Sequence, residues 1–135
     1  TMESKSNLSR VGHWVSMFMD FRGKEYTIEY FNSSGNAPTN KVFEWMRDSA
    51  RYLTKILNHP TKAVNVGGYK GGAHQESDTE CGAYALYYIL ARLIGYGYKH
   101  FREHKVSDKT VTSFRAKILI NEDLVGCIKY FKQRF

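Results

Sequence analysis

The sequence predicts an α+β domain, and three stretches carry that reading. Residues 13–32 place apolar and β-favouring side chains on either side of a polar centre, Phe21-Arg22-Gly23-Lys24-Glu25, the pattern of a β-hairpin. From Val42 to Leu57 the apolar residues recur at helical period. Cys81 to Ile94 is apolar on almost every side, which suits a helix in the middle of a domain. A hairpin packed on a buried central helix, with further helices around it, is an α+β architecture.

A hairpin loop centred on Arg22-Gly23 sets Val15 across from Tyr30, Met17 from Ile28 and Met19 from Tyr26, an apolar face. Ser16 with Glu29, Phe18 with Thr27 and Asp20 with Glu25 make the other, mostly polar face. In this register His13 falls opposite Asn32 on the apolar side. A turn-rich patch, Ser33 to Asn40, follows. Thr39 or Asn40 can cap the next helix, whose period runs through Val42, Phe43, Met46, Ala50, Leu53, Ile56 and Leu57 until His59-Pro60 stops it. Ala63–Val66 reads as a short strand. The loop Gly67–Gly72 lacks the Gly-Lys-Ser/Thr of a phosphate-cradling turn. Gly95 and Gly97 end the central helix, and two helical pieces follow near Asp108–Leu119 and Glu122–Lys132, the second placing Cys127 in the core.

The 135 residues fit one domain, and 42% hydrophobic content with 15% aromatics is too rich for a disordered chain. No apolar run is long enough to cross a bilayer, and Thr1–Arg10 is polar rather than signal-like, so an intracellular, reduced protein is expected. The sequons at Asn7 and Asn32 then read as chance matches. Cys81 and Cys127 are too few and too far apart for a disulfide scaffold or a cysteine zinc cluster. The net charge of +7 is concentrated in residues 92–135, with ten basic residues against four acidic. Such a face attracts nucleic acid or acidic proteins, and also describes an ordinary solvated surface.

Cys81 opens the central helix in Gln75-Glu76-Ser77-Asp78-Thr79-Glu80-Cys81-Gly82. Backbone N–H groups and the positive end of the helix dipole lie beside a sulfur so placed, and favour negative charge there. Gly82 removes a side chain where a carbonyl could approach, and Gln75 can aim an amide N–H at the same point, with the Cys81 backbone N–H as a second donor. A buried small hydrophobe is the ordinary fate of a free cysteine. Against that, a nucleophile needs a base and the base an orienting partner, and His13 opposite Asn32 supplies such a pair. Asp20 has the opposite strand parity to His13 and points to the other face.

His13-Trp14, the aromatic strand end Tyr30-Phe31-Asn32-Ser33, Gln75, and Cys81-Gly82 six residues later occur in order and on the expected elements. In these residues the chain resembles the cysteine proteases of SUMO and other ubiquitin-like modifiers, together with the adenovirus-type proteases of large DNA viruses. The resemblance covers about residues 13–95. It implies a papain-related cysteine protease fold with Cys81 as nucleophile, His13 as general base and acid, Asn32 as orienter and Gln75 as oxyanion donor. Trp14 and Gly82 would border the substrate channel. No cofactor or metal is implied. Asn32 stands where the family usually has Asp, an exchange associated with a viral branch, and Glu80 stands where Asp is common.

The family cuts after Gly-Gly or similar small-residue sequences. A polypeptide with a Gly-Gly-X site is therefore the expected substrate, in viral structural polyproteins or, alternatively, in modifier precursors and conjugates. A basic binding module with a structural Cys81 is the reading from another class. The implied setting is the host cytoplasm, nucleus or virion, with no membrane partner. Only 12 residues precede His13 where relatives carry a substantial segment, so the expectation is a single catalytic domain over 1–135 lacking an N-terminal portion, the alternative being a minimal version of the fold. His100-Phe101-Arg102-Glu103-His104 fits an inverted zinc-protease motif, but in this basic segment it reads as a solvated helical turn. His59 and His74 show no evident partner in the sequence.

Overall fold

In the computed structural model, residues 12–70, 72–120 and 124–134 are described. Asn7, Gly71 and the predicted helix start at Glu122 lie outside them. Strands β1 (Ser16–Asp20) and β2 (Tyr26–Phe31) pair antiparallel, and β3 (Thr61–Asn65) joins β2 in parallel, giving the order β1-β2-β3. Helix α1 (Asn40–Leu57) is the crossover between β2 and β3. Thr39 caps it, its side chain accepting from the Val42 N–H at 3.3 Å, and Asn58 ends it in a left-handed conformation just before His59-Pro60.

The hairpin register differs from the predicted one by two residues. Met17 faces Tyr30 and Met19 faces Ile28, because the loop spans Phe21 to Glu25, turns at Gly23 (φ +83°) and is held by Asp20 accepting the Arg22 N–H. The shift is even, so every residue keeps its predicted face. What each face packs against is not legible in the hairpin pattern. Ile28 and Tyr30 meet Met46 and Ala50 of α1, while Met17 and Met19, on the edge strand, stay exposed. The polar face is the one laid on the central helix α2 (Cys81–Ile94).

That face is polar because it houses an ion-paired network. Arg92 of α2 donates to Glu29 at 2.8 and 2.7 Å and to Asp20 at 2.8 Å, and Tyr88 and Thr27 donate to Glu29. Glu29, Tyr88 and Arg92 are all buried. Burial pushes the Asp20 carboxyl up, but hydrogen bonds from Arg22 and Arg92 more than offset this and hold it below the ordinary carboxylate value. Burial and then the Glu29 charge push the Tyr88 phenol up.

Beyond Gly95, α3 (Tyr98–Glu103), α4 (Asp108–Phe114), a π-helical turn (Arg115–Leu119) and α5 (Leu124–Arg134) complete an aromatic core. Tyr87 of α2 meets Phe101, Phe114 and Phe131 there, and Cys127 is buried as expected. No helix of the described residues is long and apolar enough to cross a membrane.

Candidate active site

The antiparallel hairpin brings the residues just ahead of β1 beside the end of β2, and β1 packs on α2. Three segments therefore meet at the first turn of α2. The Trp14 backbone N–H points at Cys81 Sγ at 3.4 Å. His13 Nε2 lies 2.7 Å from Asn32 Oδ1. That oxygen also accepts the Ser34 backbone N–H at 2.9 Å and the Ser34 hydroxyl at 2.6 Å. A backbone N–H can only donate, so the amide orientation of Asn32 is fixed and His13 Nε2 must carry the proton. In the neutral ring Nδ1 is then left with its lone pair, able to accept a proton.

Gln75 sits in the loop that leads into α2. Its Oε1 accepts the Ser33 hydroxyl at 2.6 Å and its Nε2 donates to the Ser77 carbonyl at 2.5 Å. Asp108, the first residue of α4, braces the same loop by accepting the backbone N–H groups of Glu76 and Ser77 at 3.1 and 2.9 Å and the Tyr84 hydroxyl at 3.0 Å. A cleft of about 240 Å³ opens between Gly12, His13, Ser34, Gln75, Ser77 and Asp78. The indole of Trp14, 69% exposed, lies over Gly82. A Cβ on Gly82 would come within 3.3 Å of the Trp14 Cδ1. The glycine thus makes room for the indole itself, rather than directly for a carbonyl as its position in the sequence suggested.

All six residues singled out in the sequence, His13, Trp14, Asn32, Gln75, Cys81 and Gly82, fall in this one region. Ser33, Ser34 and Asp108 were missed. The first two looked like turn residues, and nothing in local sequence links Ser33 to a partner 42 positions away. His74 also gains a partner: buried among Phe31, Phe101 and Tyr69, its Nδ1 accepts the Val106 N–H at 2.9 Å. His59 stacks on Tyr26 at 3.6 Å between ring centroids. His100 and His104 stack on each other on α3 and its cap, and among the described residues no three His, Cys, Asp or Glu side chains gather as a metal site. Asn32 is buried, so its sequon is not presented at the surface. Of the basic C-terminal residues, Arg92 is buried, Arg102 binds the Val66 carbonyl, Lys105 pairs with Glu76 and Arg115 with Glu80.

The class this fold and site define is visible in the chain as a whole. The profile described as the Ulp1 protease family, C-terminal catalytic domain, matches residues 8–125, and the chain belongs to that family. The resemblance noted in the sequence, including its large-DNA-virus side, is borne out. The chain is 43% identical over 106 residues to the SUMO-1 cysteine protease S273R of African swine fever virus (isolate Tick/South Africa/Pretoriuskop), covering 78% of this chain and 37% of that protein. Two crystal structures of the African swine fever virus pS273R protease are similar to it. One aligns with a TM-score of 0.69 at 43% identity over 76% of this chain and 37% of that one. The other, a selenomethionine form, gives 0.71 at 41% identity over 82% and 40%. The chain spans little more than a third of the length of the curated relative at 37%.

Proposed function

We propose that the chain carries the catalytic machinery of a cysteine endopeptidase with Cys81, His13 and Asn32 as a triad and Gln75 as oxyanion donor. The observation that carries this reading is the pairing of His13 Nε2 with Asn32 Oδ1 while the adjacent Trp14 N–H lies on Cys81 Sγ. Cys81 Sγ attacks the scissile carbonyl carbon as its proton passes to His13 Nδ1. The resulting oxyanion is held by the Cys81 backbone N–H and the Gln75 amide. Collapse re-forms the carbonyl and breaks the C–N bond, and the leaving amine takes the proton from the imidazolium. Water, deprotonated by His13, then releases the acyl group from sulfur. Asn32, being neutral, orients the ring and adds no charge, which suffices for a thiolate–imidazolium pair.

In this reading the Trp14 indole, which lies over Gly82, borders the substrate path, and the family resemblance implies Gly-Gly before the cut. We infer that the substrates are viral structural polyproteins with Gly-Gly-X sites, supported by similarity to a protease of a large DNA virus. The name SUMO-1 cysteine protease, carried by that relative, favours a second reading, cleavage of a ubiquitin-like modifier. We infer that a further, N-terminal segment of the natural protein completes the substrate surface; the relatives' greater length supports a longer protein. The excess of basic over acidic residues in 92–135 would suit work beside nucleic acid.

The test is hydrolysis of Gly-Gly-X peptides against SUMO and ubiquitin fluorogenic substrates by the natural full-length protein. Cys81→Ala or His13→Ala abolishes cleavage under this reading, and retained activity refutes it. A strong preference for a folded modifier selects the second reading. A non-enzymatic basic module would hydrolyse nothing, and its Cys81 would resist iodoacetamide at neutral pH.

A further inference from the structure

We propose that Ser33 is a positioning residue that aligns the Gln75 carboxamide for oxyanion binding, an inference resting on the role of Gln75 given above. A glutamine side chain has three rotatable bonds and an end that can flip, so an effective donor must be held by its neighbours. The Ser77 carbonyl can only accept, and it lies 2.5 Å from Gln75 Nε2. The opposite end of the amide is therefore Oε1, and the Ser33 hydroxyl, 2.6 Å away, donates to it. One Nε2–H is used by Ser77, and the other remains for the cleft that Gln75 lines together with His13. The Ser33 backbone contributes as well, its carbonyl accepting the N–H groups of His74 at 2.9 Å and Gln75 at 3.0 Å.

Ser33 is 1% exposed, so no bulk water stands ready to replace its hydroxyl. It also directly follows Asn32, which holds the His13 ring. One peptide unit at the end of β2 thus fixes both the base and the oxyanion donor, and their relative placement follows from it. Asp108 secures the other tether by holding the Ser77 N–H. Removal of the Ser33 hydroxyl leaves the amide with a single tether, free to rotate away from the oxyanion.

The experiment is a double-mutant cycle in the natural full-length protein with a Gly-Gly-X peptide, run where every variant keeps a native circular dichroism spectrum. Ser33→Ala is expected to lower kcat roughly tenfold with KM little changed, a fraction of the roughly hundredfold or greater loss on removing an oxyanion donor outright. Ser33→Thr, which keeps the hydroxyl, should recover most of kcat. In a Gln75→Ala background Ser33→Ala should cost nothing further. Alkylation of Cys81 by iodoacetamide forms no oxyanion and should proceed at the wild-type rate in Ser33→Ala. An equal loss from Ser33→Ala in both backgrounds, or a change in KM alone, overturns the role of Ser33 while leaving that of Gln75 intact. Full kcat in Gln75→Ala overturns both.

Discussion

His13 Nε2 and Asn32 Oδ1 lie 2.7 Å apart, and the same oxygen takes two further hydrogen bonds from Ser34. The carboxamide is thus held before it holds the imidazole. An orienter fixed in this way sets the histidine tautomer without a charge of its own.

Asn32→Ala removes that restraint but leaves Cys81 and His13 in place. We expect kcat to fall by about one to two orders of magnitude, less than on loss of the base itself. Asn32→Asp retains an oxygen for His13 and the Ser34 donors and should keep activity within a few-fold of wild type. Peptide hydrolysis by both variants checks this, and an Asn32→Ala enzyme as dead as Cys81→Ala would contradict it.

Gly82→Ala sets a methyl group 3.3 Å from Trp14 Cδ1, closer than most real contacts, but the indole is 69% exposed and can give way. Folding stability should change by less than about 1 kcal/mol, while the proposed role of the Trp14 ring at the substrate path predicts a fall in peptide cleavage. Thermal melts and Gly-Gly-X kinetics on the same sample separate the two effects.

His74 should dominate one window of the acid response. Burial is the largest influence on it and pushes its pKa from 6.5 down to about 4, with a partial offset from the Phe101 backbone and a further push from the Lys105 and His100 charges. An unfolded chain therefore binds this proton at higher pH than the folded one. The resulting stability is complete above 6.5, is lost as pH falls toward 4, and amounts to about 3 kcal/mol over that span. His74→Asn can keep an acceptor for the Val106 N–H without titrating. Urea unfolding at pH 7 and pH 4.5 should show a smaller loss for this variant than for the wild type.

Arg92→Met would leave Glu29 buried and facing Tyr88 with no cation. Breaking a buried pair from one side costs about 3–5 kcal/mol, whereas replacing both partners by apolar residues can be nearly neutral. Chemical denaturation should show Arg92→Met severely destabilised and Glu29→Leu/Arg92→Met substantially recovered.

The sequence showed the elements and the site residues because both lie in local patterns. The period of α1, the apolar run of α2, and the His-Trp and Gln-to-Cys-Gly spacings need no distant partner to be recognised. Strand parity, being periodic, also survived the error in register, and so His13 and Asn32 still met. Partners remote in sequence were not legible. Ser33 with Gln75, Asp108 with the loop before Cys81, and His74 with Val106 each join segments that only folding brings together.

The amino-acid pattern by itself determined the order of strands and helices, the family, and which five residues gather around Cys81. Tertiary structure alone decided what each face of the hairpin packs against. The apolar side chains of β2 meet α1, and the face carrying Asp20, Thr27 and Glu29 lies on α2, where Arg92 and Tyr88 satisfy its carboxylates. A buried charge is tolerable only where its partners have already been placed, and that placement depends on packing that no single segment encodes.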